Sequence, residues 1–142
     1  MSDGAIPSDS HPRPLRPDGW PRPSGYADGT SASGRIVVTA GQIGWDPTTG
    51  RFATADIVAQ TRQALENLVA VLRAGGASPE HLVRLTWYVT SRDEYVAARE
   101  AIGRAYREVL GRVFPAMSVV VVAGLVEPEA KVEIEGTAVV PE

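Results

Sequence analysis

The sequence predicts an α/β (α+β) fold of two layers, a mixed sheet carrying two helices on one face. Three observations predict it. Apolar residues recur at helical spacing in two separate stretches, alternating or β-branched stretches separate and follow them, and a strand pair is expected at each end. The resulting order is β-β-α-β-α-β-β.

The elements follow in turn. Residues 1–24 hold prolines at 7, 12, 14, 17, 21 and 23. Proline removes a backbone donor and keeps its predecessor extended, so this segment reads as a surface-draped or disordered arm, and residues 25–142 as a single domain. Tyr26-Ala27 reads as a short edge strand and Arg35–Ala40 as a fuller one, ended by Gly41-Gln42-Ile43-Gly44. Trp45 to Gly50 is turn-rich. Asp56 can cap a helix reaching about Arg73, with Ile57, Thr61, Leu65, Leu68, Val69 and Leu72 on one face; Gln60, Arg62, Gln63 and Glu66 fall mostly off that stripe.

Gly75-Gly76 stops this helix, and Ser78-Pro79-Glu80 opens one further turn. Leu82–Thr90 alternates, which places Val83, Leu85, Trp87 and Val89 on one face. Ser91 and Glu94 have capping-box spacing ahead of a second helix, with Tyr95, Ala98, Ile102, Tyr106, Val109 and Leu110 inward and Gly111 at its end. Phe114-Pro115-Ala116-Met117-Ser118 leads into the buried strand Val119–Val122, and Ala130–Val139 supplies the last one. The Val119–Val122 run has no polar side, so the second face of the sheet needs a cover that one chain does not supply. Self-association is the simplest solution.

Composition narrows the function. The 142 residues suit one domain with a modest core. Fourteen basic against seventeen acidic side chains, with no basic cluster, disfavour nucleic-acid binding, a ribonuclease included. There is no cysteine, so thiolate chemistry and disulfides are excluded and a cytoplasmic location is expected. The longest apolar run is too short to span a bilayer, and no P-loop, G-x-S-x-G or H-E-x-x-H is present. Ser118 has no histidine at motif spacing to activate it. His11 reads as a tail residue and His81 as part of a turn. No metal or cofactor is expected.

Several blocks occur together in one order between Tyr26 and Val140. They are Ala40-Gly41-Gln42-Ile43, Asp46-Pro47-Thr48-Thr49-Gly50, Gln60 to Leu68, Phe114-Pro115-Ala116-x-Ser118, and Val132-Glu133-Ile134-Glu135-Gly136-Thr137-Ala138. In these the chain resembles the RidA/YjgF family of small enamine/imine deaminases. The resemblance implies a chorismate-mutase-like fold and a homotrimer with small-molecule pockets at the subunit interfaces. It also carries a departure. The deaminases have Pro-Ala-Arg-Ser, whose Arg forks onto a substrate carboxylate; Met117 stands there and cannot do so.

The resemblance places Glu133 as the carboxylate that activates water, against the alternative of an ion pair with Lys131. It places Tyr26 at the pocket mouth, or else as an edge-strand aromatic. Backbone N–H groups near Gly41 or Val119 would orient the polar end of a ligand. Arg99 stands where the deaminases have an asparagine, and is either a substitute cation or a solvated helix residue. Trp45 and Trp87, with Met117, would make the pocket apolar, unless Trp87 is simply core. The expectation is therefore a metal-independent hydrolase of an imine or enamine more apolar than 2-iminopropanoate. The alternative is a non-catalytic trimer that binds or senses a small molecule.

Overall fold

The computed structural model describes residues 11–142; residues 1–10 of the arm, Pro7 among them, lie outside the described residues. A sheet of five strands forms one layer, with β3 (Arg35–Val38), β7 (Val132–Val140), β5 (Leu82–Val89) and β6 (Ala116–Val121) adjacent in that order. β4 (Gln42–Ile43) pairs with β7 beside β3. Only β5 and β6 run parallel, which requires the helical crossover between them; the other pairings are antiparallel. The helices α1 (Ile57–Ala74), α2 (Arg92–Ala97) and α3 (Arg99–Leu110) form the other layer. The core lies between the layers and includes Leu65, Leu68, Leu72, Leu85, Trp87, Val132, Ile134 and Ala138. Among the described residues no helix is long and apolar enough to cross a membrane.

Two helix starts follow the local chemistry. The Asp56 carboxylate accepts the Ala59 N–H at 2.9 Å, and the Ser91 hydroxyl accepts the Glu94 N–H at 3.1 Å. The second half of the expected capping box is not made, because the Glu94 carboxylate takes the Lys131 ammonium at 2.9 Å instead. The second helix is also two. Ala98 leaves the helical region (φ −100°, ψ 5°) and separates α2 from α3.

Several other expectations need correction. A bulge between Leu82 and Arg84 puts Leu82 inside and leaves Val83 half-buried, so the inward set is Leu82, Leu85, Trp87 and Val89. The Val119–Val122 run is not interior. β6 is an edge strand, and Val119, Val120 and Val121 are 38%, 41% and 53% exposed. Residues 13–15 of the arm form the exposed strand β1, paired with β2 (Gly29–Ser31), while Ala27 makes a single parallel bridge to Ala116.

Gln60 is buried although it lies off the apolar stripe. Its amide donates to the Thr54 and Glu129 carbonyls and accepts from the Lys131 N–H, at 3.0, 3.0 and 2.8 Å. One side chain thereby fixes the chain just ahead of β7. Asn67 does the same for β4, donating to the Ile43 and Trp45 carbonyls at 3.0 Å each. Gly44 lets this segment approach α1, since a Cβ there would lie 2.5 Å from the Gln60 carbonyl oxygen.

Candidate active site

β7 alternates from Val132 to Ala138. Val132, Ile134 and Ala138 are buried beneath the helices, so Glu133, Glu135 and Thr137 face away from them. Pairing with β5 carries the same parity across the sheet, setting Tyr88 beside Glu133 and Thr86 beside Glu135. Tyr88 donates its hydroxyl to Glu135 at 2.6 Å, and this bond holds the phenol pKa above its ordinary value. Arg84 donates to the Ser118 hydroxyl at 3.3 Å on the same face. Glu135 and Ser118 are thus engaged in structural contacts.

Glu133 is different. Lys131, the alternative partner, is taken by Glu94, and none of the hydrogen bonds or ion pairs among the described residues uses the Glu133 carboxylate. Its neighbour is Gly41. A Cβ at position 41 would stand 2.6 Å from the Glu133 carboxyl carbon, so a larger residue there would push that carboxylate aside. Gly41 and Glu133 therefore meet on the open face of the sheet, a carboxylate against bare backbone and one half of the candidate site.

A second surface collects most of the other expected residues. The β5–β6 register pairs Leu85 with Met117, Trp87 with Val119 and Val89 with Val121, so these residues share the helix-side face. Because β6 is only partly covered there, a cleft of about 590 Å³ opens between it and α2–α3. Tyr26, Trp87, Arg99, Met117 and Val119 all line it, together with Tyr95, Phe114 and two more arginines, Arg92 and Arg107. Its floor is a run of rings: Trp87 against Tyr106 at 6.1 Å between centroids, and Tyr106 against Phe114 at 5.6 Å. Burial raises the pKa values of both Tyr95 and Tyr106, so their phenols stay neutral.

Trp45 belongs to neither half. Its ring packs on Phe52 at 6.1 Å beside the Asp46–Gly50 turn, and it does not line the cleft. The expected pairing of two indoles with Met117 is reduced to Trp87. More consequential, Met117 and Glu133 lie on opposite faces of one sheet, so a single chain does not bring the acid and the cleft together. Sequence reasoning missed Arg92, Arg107, Tyr95 and Phe114 as lining residues. Arg92, Arg99 and Arg107 recur at helical spacing, which is the signal that would have found them.

His11, Glu80 and His81 also come together near the arm. The Ser78 N–H donates to His81 Nδ1 at 3.0 Å, which leaves the proton of the neutral imidazole on Nε2, facing Glu80. That arrangement makes His81 part of its turn, with its outward nitrogen a donor and not a metal ligand.

A sequence model of the Endoribonuclease L-PSP family matches residues 21–140. The chain belongs to this family, the RidA/YjgF family. Its RidA/YjgF relatives include a 2-iminobutanoate/2-iminopropanoate deaminase from Salmonella typhimurium, 40% identical over 75% of this chain and 80% of that protein. A RutC family protein from Haemophilus influenzae is 39% identical over the same shares. Among solved structures, the Rid family protein YyfB from Yersinia pestis is similar with a TM-score of 0.78 and 35% identity, covering 92% of this chain and 99% of that one. The two-layer RidA/YjgF fold is therefore shared.

Proposed function

We propose that the chain is a metal-independent hydrolase of imines or enamines, of the deaminase type, working as a homotrimer. The observation that carries this reading is the Glu133 carboxylate, with no hydrogen bond or ion pair among the described residues and set against Gly41 on the open face of the sheet. Because Glu133 and the Met117 cleft lie on different faces, a complete site needs the open face of one copy against the cleft of another. Contact between two different surfaces is heterologous. Repeated, it builds a closed ring or an open filament and not a twofold dimer, and a three-membered ring is what the family resemblance implies. Exposed Ile36 and Val38, at 67% and 66%, and Val120 supply apolar area on that face.

In such a site Glu133 takes a proton from water as its oxygen bonds to the imine carbon. The same proton returns to the nitrogen, giving a carbinolamine. Collapse of that intermediate breaks the C–N bond, passes the hydroxyl proton to nitrogen and releases ammonia and a carbonyl compound. Backbone N–H groups beside Gly41 suit the role of orienting the ligand. Met117, Val119, Tyr26 and Trp87 favour a substrate more apolar than 2-iminopropanoate. A second reading, a non-catalytic trimer that binds a small molecule, is favoured by Met117 alone, which removes the strand-borne anion anchor.

The test uses 2-imino acids generated in situ by an amino-acid oxidase, with decay followed for wild type and Met117→Arg. The expected result is faster decay of bulky apolar imines with wild type, and a gain for 2-iminopropanoate on Met117→Arg of about tenfold or more, as a restored charge contact implies. No acceleration of any imine by either protein would leave only the binding reading.

A further inference from the structure

Charge is distributed unevenly in this molecule. The chain carries a formal charge of −3, yet the cleft over β6 is lined by Arg92, Arg99 and Arg107 and by no aspartate or glutamate. The arginines nearby that have acidic partners lie outside it: Arg62 pairs with Glu108, and Arg104 with Glu100. None of the ion pairs among the described residues involves the three that line the cleft. Arg107, itself exposed, lies back along its own helix over Gly103, its Nη1 3.4 Å from where a Cβ there would stand. Three like charges along one wall repel one another unless an anion or solvent intervenes.

A second, independent observation concerns the floor. Trp87 is 3% exposed, and its indole Nε1 is the buried side-chain polar atom that finds no acceptor among the described residues. Buried N–H groups are nearly always satisfied, and an orphan beside a cleft marks where an acceptor belongs. Tyr106, stacked on the same indole, is already committed, donating its hydroxyl to the Val113 carbonyl.

We infer that the cleft takes an organic anion with an aryl or branched apolar body, its charge held by the α2–α3 arginines, chiefly Arg99 and Arg107. The anion anchor has moved from the strand to the helices. Met117 and Val119 then meet the apolar body, and the Trp87 N–H meets an acceptor next to the anionic group. An aromatic 2-oxo or 2-imino carboxylate has all three features. This rests on the proposed site, and it names the ligand class of that site without requiring turnover.

Calorimetric titration of the full-length protein separates the two claims. The probes are phenylpyruvate, pyruvate and phenylacetamide, which in turn keep both features, drop the aryl body and drop the charge. Phenylpyruvate is expected to bind about tenfold or more tightly than either comparator, with affinity falling as salt rises. Arg99→Gln with Arg107→Gln should weaken it about tenfold while pyruvate stays weak, and Trp87→Phe should weaken it while keeping the ring stack. Equal binding of phenylacetamide, equal binding of pyruvate, or an arginine double variant that binds as wild type each overturn the inference. Selective phenylpyruvate binding without imine hydrolysis would sustain it and remove the hydrolase reading. Imine hydrolysis without such binding would do the reverse.

Discussion

Glu133→Gln is expected to slow imine hydrolysis by roughly 10²- to 10⁴-fold, the range for losing a positioned general base. The substitution is nearly isosteric. It removes the proton acceptor and leaves the fit against Gly41, where the closest approach of an added Cβ would be 2.6 Å, unchanged. Since no hydrogen bond or ion pair within the described residues depends on this carboxylate, the melting temperature should hardly move. Glu135→Gln is the contrast. Its partner is the Tyr88 hydroxyl, so it should cost modest stability and little activity. Steady-state decay of an in situ imine, measured beside thermal unfolding, distinguishes them. Equal rates for Glu133→Gln and wild type would remove Glu133 from the chemistry.

The largest effect on stability is expected from Gln60→Ala. The side chain is 1% exposed and satisfies two carbonyls and one N–H in the segments around Thr54 and Glu129–Lys131. Each buried group left unpaired costs about 1–3 kcal/mol, so the variant should lose about 3–5 kcal/mol in chemical denaturation. The loss reaches the site as well, because Lys131 is two residues ahead of Glu133 and its backbone sets where β7 begins. Arg62→Ala, on the exposed side of the same helix, should stay within about 1 kcal/mol of wild type. A Gln60→Ala midpoint indistinguishable from that control would contradict this account of the loop.

Much of the fold was legible because its signals are local. Asp56 and Ser91 announce their helices by side-chain chemistry, and β7 alternates plainly enough to assign Glu133 to the open face. What the residues did not reveal depends on partners far along the chain. Gln60 looks like any polar helix residue until Glu129 and Lys131 are folded against it. The bulge at Val83 reverses the parity of one end of β5, and no alternation within β5 discloses it. β4 is two residues long and exists only because β7 runs beside it.

Of the candidate site, Tyr26, Trp87, Arg99, Met117 and Val119 come together at one cleft, but the arrangement was not legible. Met117 and Glu133 read as neighbours in one pocket, but their faces are fixed by the registers of β6 and β7 on β5, which only tertiary pairing determines. Trp45 was misplaced for a similar reason. Asn67 draws its backbone to α1, and its ring settles on Phe52.

The division of the proposed site between two faces is tested directly by subunit complementation. Glu133→Gln spoils the open-face half, and Met117→Trp fills the cleft half. Each variant alone is expected to be inactive. Differently tagged and coexpressed, with mixed trimers purified through both tags, they should regain activity in about a third of the sites, where an intact cleft meets an intact Glu133 from a neighbour. Mixed oligomers as inactive as either parent would contradict a site shared between copies.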